Sequence, residues 1–280
     1  MQKLHSDFST QRLALYRDSQ SLPLITQNAA TDKRPYIHPI LAPDGVGELT
    51  ENQPGHHLWQ HGLYVGLNDV NGVGFWEERL GSHKETDGTF HPRPLVGPTI
   101  EGNTAAWELV TDWKAPDGNP LLTETQAWRF TDNGITFLLD VDWRLTASVD
   151  LRFGKYAYGG LFLRMPWRRE TGGDILTSEG ENHHATAEGQ RARWVALAMP
   201  VPGRPTGPAG IAFLDHPSNP EHPNPWRVDD NLGIVPSRCI AGEWPLAAGE
   251  STVNRYRLFV STGPIDADRG NAEWERFAHK

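Results

Sequence analysis

Residues 136–146 read TFLLDVDWRLT. Phe137, Leu139, Val141, Trp143 and Leu145 fall at every second position, with Asp140, Asp142 and Arg144 between them. Side chains of a strand point alternately to opposite faces, so this stretch predicts a strand with one apolar face in a core and one polar face in water. The same reading extends outward to 121–130, 158–165, 192–199, 210–214 and 253–261. Turn-forming clusters separate these runs: Pro116-Asp117-Gly118-Asn119, Asp132-Asn133-Gly134, Gly172-Gly173-Asp174 and Pro202-Gly203. Helical periodicity is weak and confined to 267–279. The pattern predicts an all-β chain, a large antiparallel β-sandwich, with a supersandwich of the galactose-mutarotase kind as the specific form.

The chain has 280 residues, enough to bury about three quarters of its unfolded surface around one core. No repeat or low-complexity segment divides it. The Pro/Gly-rich stretch 200–208 lies between two strand-like runs and reads as a loop, so one domain over 1–280 is expected. A net charge of −9 argues against a nucleic-acid surface, which needs excess Lys and Arg. No apolar run reaches the ~20 residues needed to cross a bilayer, and no secretory signal is readable at the N-terminus. The lone Cys239 has no partner for an internal disulfide and carries no nucleophile signature. A cytoplasmic location is the expectation.

Nucleotide-binding and serine-hydrolase signatures (GxGxxG, Walker A, GxSxG) are absent. The twelve histidines, in contrast, concentrate. Three segments carry half of them: Arg34-Pro35-Tyr36-Ile37-His38-Pro39, His56-His57-Leu58-Trp59-Gln60-His61 and Asp215-His216-Pro217-Ser218-Asn219-Pro220-Glu221-His222-Pro223. Read as a strand, 56–65 puts His57, Trp59 and His61 on one face. Two imidazoles beside an indole suit a sugar: the indole offers a flat apolar face and the imidazoles exchange protons near neutral pH. Read as a helix, His57 and His61 are four apart, a spacing that metal sites use, although Leu58 stands where a zincin has Glu. The Pro-rich third segment is a stiff loop that presents His216, Asn219, His222 and Trp226. Glu124, Asp140 and Asp142 are further acid–base candidates, and Arg191 or Arg193 a ligand-binding cation. Most of the eleven Trp belong to the core.

The segments 34–39, 57–63, 71–76, 191–194 and above all Asp215-His216-Pro217-Ser218-Asn219-Pro220 resemble, in order and spacing, the bacterial family labelled methane oxygenase PmoA. The resemblance covers about residues 30–262. Leu58 and Gln60 depart from that family's pattern, in which a Pro and a further His stand. A membrane methane monooxygenase requires membrane-spanning helices, which this sequence lacks. What the resemblance implies is a β protein that accompanies sugar-type oxidoreductases.

The combined expectation is an enzyme acting on a sugar or keto-sugar: an epimerase, lyase or hydrolase. His57, His61, His38 and His216 are its acid–base groups, and Trp59, Arg193, Asn219, His222 and Trp226 its substrate contacts. The alternatives are a carbohydrate-binding or sensing protein without chemistry, and a metalloenzyme holding a divalent metal on His38, His57 and His61. All of these require the histidine segments to meet in space.

Overall fold

The computed structural model describes residues 3–18 and 20–280. The strand at Thr136–Ala147 forms as its alternation predicts. Phe137, Leu139, Val141, Trp143 and Leu145 are all buried, while Asp142 and Arg144 face water. This strand is the middle of a nine-stranded antiparallel sheet. Its path runs Asp174–Thr177, Trp194–Met199, Ala209–Asp215, Ser251–Ser261, Thr136–Ala147, Pro120–Asp132, Thr104–Lys114 and Thr89–Pro92, with Thr99–Glu101 pairing beside Thr104–Lys114.

A second, eight-stranded sheet packs on its inner face. Its order is Leu4–Ser9, Arg12–Arg17, Ile25–Asn28, Tyr36–Ile40, Leu63–Gly66, Gly160–Leu163, Ile234–Pro236 and Trp226–Val228. One apolar cluster joins the two, with Leu15, Ile37 and Val65 from one sheet and Leu109, Phe130, Leu139 and Phe213 from the other. This is the all-β sandwich that the alternation predicted. The helix Ala267–Ala278 is capped by Asp266, whose side chain accepts from the Arg269 N–H. It covers Trp194, Leu214 and Phe259 on the outer face of the larger sheet. Among the described residues no helix is long and apolar enough to cross a membrane.

The inner face of the larger sheet also carries polar groups. Glu124 is 1% exposed and points into the core. Its Oε1 accepts from Trp143 Nε1 (2.8 Å) and Gln126 Nε2 (2.8 Å), and its Oε2 from Trp113 Nε1 (3.1 Å). Burial pushes its carboxyl up to about 7 against the pull of those three donors and of Arg34. Glu124 is thus enclosed, not a group that reaches substrate. Asp140 is likewise committed, gripped at both oxygens by the Arg257 guanidinium.

Candidate active site

The segment 56–61 is neither strand nor helix. Pro54 and Gly55 start a compact loop that turns twice, with the His57 N–H donating to the Pro54 carbonyl (2.8 Å) and the Gln60 N–H to that of His57 (3.1 Å). A bridge between Asn52 and His61 closes the loop at its base. His57 and His61 therefore do not share a face. His57 and Trp59 stay together, their rings edge-on with centroids 5.1 Å apart.

These two side chains line a cavity of about 230 Å³. Trp76, Tyr158 and Phe162 supply the rest of its aromatic wall. The polar rim is Gln60 of this loop, Arg227 of the strand Trp226–Val228, and Asp229, Asp230 and Asn231 of the turn that follows that strand. His57 makes no side-chain hydrogen bond among the described residues. Its Nδ1 is sealed from solvent without a partner, which leaves Nε2 as the reachable nitrogen. Burial and the neighbouring His56 and Arg164 lower its pKa, opposed by Asp229 and Asp230, so a neutral ring that accepts a proton is favoured. Asp230 is exposed at the rim. Burial and the adjacent Tyr156 push the Tyr158 phenol up to about 12, which keeps it a neutral wall.

Two buried arginines frame the cavity. Arg164 donates through Nε to Gln60 Oε1 (2.7 Å) and through Nη1 to the Asn231 carbonyl (2.9 Å), tying the 53–60 loop to the 229–233 turn. Asp229 Oδ1 serves that turn, accepting from the N–H groups of Asn231 and Gly233. Arg34 donates to the carbonyls of Trp59 and of Trp76 (2.8 Å for the latter), and its own N–H donates to Glu78 Oε1 (2.7 Å). Glu78 Oε2 lies 2.9 Å from His61 Nε2, and His61 Nδ1 lies 2.8 Å from the Asn52 amide. Burial works to raise the Glu78 carboxyl, but His61 and Arg34 outweigh it and hold it below the usual range. His61, 6% exposed and stacked on Tyr36, has both nitrogens occupied and is a structural link.

The family of unknown function DUF6807 matches residues 7–275. This chain belongs to that family. No curated protein matches it. Among solved structures it is similar to the α-galactosidase of Lactobacillus brevis, at 12% identity and a TM-score of 0.42, over 93% of this chain and 39% of that one. It is similar also to AgaB, a GH36 α-galactosidase of Geobacillus stearothermophilus, at 12% identity and a TM-score of 0.44, over 93% and 41%. The DUF6807 chain thus spans about two fifths of those enzymes. A likeness this distant carries no argument about activity.

In this DUF6807 member the histidine segments do not converge, which corrects the premise that they share one pocket. The first two are neighbours through the pairing of Ile37 with Leu63, yet they serve different hollows. His38 lines a separate cavity of about 480 Å³ with Glu48, Glu51, Asn52 and Arg168. Burial and nearby His61 lower its pKa to about 4. His216 lines a third, of about 390 Å³, with Asp142, Arg255 and Phe277. Trp226 is fully buried, its Nε1 bonded to the Ala192 carbonyl, so it has no face for a ring. Arg193 lies over the Trp274 ring and reaches Asn271, anchoring the terminal helix. Arg191 is tied to Glu221. Among the described residues no three or more His, Cys, Asp or Glu side chains are placed to hold a metal ion, so His38, His57 and His61 do not form a ligand set.

The Asp215–Pro223 loop is organised from inside. Asp215, fully buried, accepts from Asn219 Nδ2 (2.7 Å), His222 Nδ1 (2.8 Å) and the Asn224 N–H (2.9 Å). Asn219 also accepts from the Arg255 N–H (2.6 Å). The polar residues of this loop satisfy one another. Asn219→Ala strips partners from buried groups and is expected to cost about 1–3 kcal/mol in urea unfolding without changing any ligand affinity of the His57 cavity. A loss of affinity larger than the stability change would show that the loop reaches the site.

The cavity residues that sequence reading missed are Trp76, Tyr158 and Phe162 of the wall and Arg227 and Asp229 to Asn231 of the rim. In the sequence Trp76 reads as a strand end. Residues 227–231 carry one signal, their position shortly after the third histidine segment; Trp76, Tyr158 and Phe162 carry none.

Proposed function

We propose that this protein is a carbohydrate-active enzyme that moves a proton on a single sugar ring, a keto-sugar in particular. The observation that carries this reading is His57: a half-buried imidazole with one reachable, unpartnered nitrogen, in a small cavity walled by Trp59, Trp76 and Tyr158. Indole and phenol faces fit the apolar face of a pyranose, and the carboxylate, guanidinium and amide of Asp230, Arg227 and Asn231 fit its hydroxyls. The volume, about 230 Å³, falls below the roughly 300–1,000 Å³ of drug-sized sites, which favours one ring over a chain. A carbonyl on the ring acidifies the neighbouring C–H, and neutral His57 accepts that proton at Nε2. Return of the proton to the other face gives epimerisation, and loss of a β-leaving group gives elimination. Asp230 is the second proton-transfer group. The likeness to the PmoA-labelled family, whose members accompany sugar oxidoreductases, supports the same substrate class, and free Cys239 supports a cytoplasmic setting.

The test is a thermal-shift panel of hexoses, sugar acids and 3-keto-sugars, with and without a chelator. A ligand at a hundred times its Kd should raise the midpoint by roughly 5–10 °C, without dependence on metal, and Trp59→Ala should abolish the rise. A shift that survives Trp59→Ala, or that the chelator reverses, overturns the assignment.

A further inference from the structure

Arg34 is 2% exposed and opens the segment 34–39, 25 residues before Trp59 and 42 before Trp76. Its guanidinium nevertheless holds both tryptophan walls of the cavity by their backbone. One terminal nitrogen donates to the Trp59 carbonyl, the other to the carbonyls of Trp76 (2.8 Å) and Phe75 (3.4 Å). Its Cζ lies over the Tyr64 ring, 4.2 Å from the centroid, which packs the fork against an aromatic face. From the far side Glu78 fixes the backbone of Arg34 and, through His61, the base of the 53–60 loop. Glu78 and Arg79 adopt left-handed backbone conformations (φ 52° and 60°), which non-glycine residues hold only when surrounding contacts impose them. Strain of this kind collects where a side chain must be aimed, and here it aims Glu78 at Arg34 and His61.

We propose that Arg34 is the positioning residue of the cavity: it sets the separation of Trp59 and Trp76 and so limits the site to one flat ring. The sugar part of this inference rests on the function proposed above, whereas the clamp itself does not. A rigid planar fork bonds two carbonyls on different segments at once. The single ammonium of lysine keeps the charge but not the two fixed directions.

Amide hydrogen exchange tests the clamp without any ligand. In the wild-type protein, residues 52–61 and 74–79 should exchange as one unit with a common opening rate. Arg34→Lys should speed exchange in both segments at least about tenfold while leaving the central strand 136–147 unchanged. A purely structural role would raise exchange throughout. Different opening rates for the two segments in the wild type overturn the clamp, and that result stands even if the variant does not fold. Uniform acceleration in a folded variant also overturns it. With glucose and 3-keto-glucose as probes, Arg34→Lys should weaken binding at least tenfold and relax discrimination against disaccharides. Coupled exchange with no sugar bound by the wild type would leave the clamp standing and refute the sugar reading alone.

Discussion

His57→Ala is expected to slow exchange of the C–H beside the carbonyl of a keto-sugar, followed by NMR in D₂O, by about 10²–10⁴-fold. Its stability should change by only about 0.5 kcal/mol, because the ring makes no hydrogen bond that folding relies on. His61→Ala is expected to do the reverse. It leaves Glu78 and Asn52 without the imidazole that joins them and should cost about 1–3 kcal/mol, while its effect on exchange follows from the loosened loop. In the sequence the two histidines look equivalent, with Trp59 midway between them. The loop geometry separates them into a group that meets the cavity and a group that closes the loop. Equal losses of exchange activity in the two variants at unchanged stability would refute that division.

Glu124→Gln is expected to change how stability depends on pH more than any other carboxyl substitution in the core. An unfolded Glu titrates near 4.5, and the folded one near 7, because burial outweighs its three N–H donors. Over that interval the folded protein holds a proton that the unfolded chain has lost. The contribution is complete below pH 4.5 and is lost as the pH rises through 7, for a total of about 3 kcal/mol. Glutamine does not titrate. It also turns an amide N–H₂ toward an indole N–H, so the variant should be the less stable protein at pH 4.5. The wild-type advantage should then shrink by about 3 kcal/mol by pH 8. Urea unfolding of both proteins at several pH values measures the difference directly. Parallel profiles would show that Glu124 is ionised throughout.

The two predictions mark what the residues reveal by themselves. Strand 136–147 is legible because its environment is simple: one face buried, one wet, and a side chain every second residue. The terminal helix is legible for a similar reason. The 56–61 loop is not, because alternation and helical spacing both assume a regular backbone, and Pro54-Gly55 denies it one. Nor is the partnership of Trp59 with Trp76, Tyr158 and Asp230, which arises from pairings between distant strands such as Leu161 with Val65. The Asp215–Pro223 loop misleads in the opposite way. Its density of Asp, His and Asn suggests a site, yet Asn219 and His222 serve to satisfy one buried carboxylate, Asp215. Glu124 looked like an acid–base group on the strength of its type alone, and only its enclosure between Trp113 and Trp143 shows that substrate cannot reach it.

The central claim is that the His57 cavity takes a sugar ring, and a crystal structure of the protein with 3-keto-glucose bound tests it most directly. The account predicts one ring in contact with Trp59 and Trp76, a hydroxyl on Asp230, and the C–H beside the carbonyl facing His57 Nε2. A ring seated instead in the hollow at His38 or at His216, with the His57 cavity empty, would contradict it.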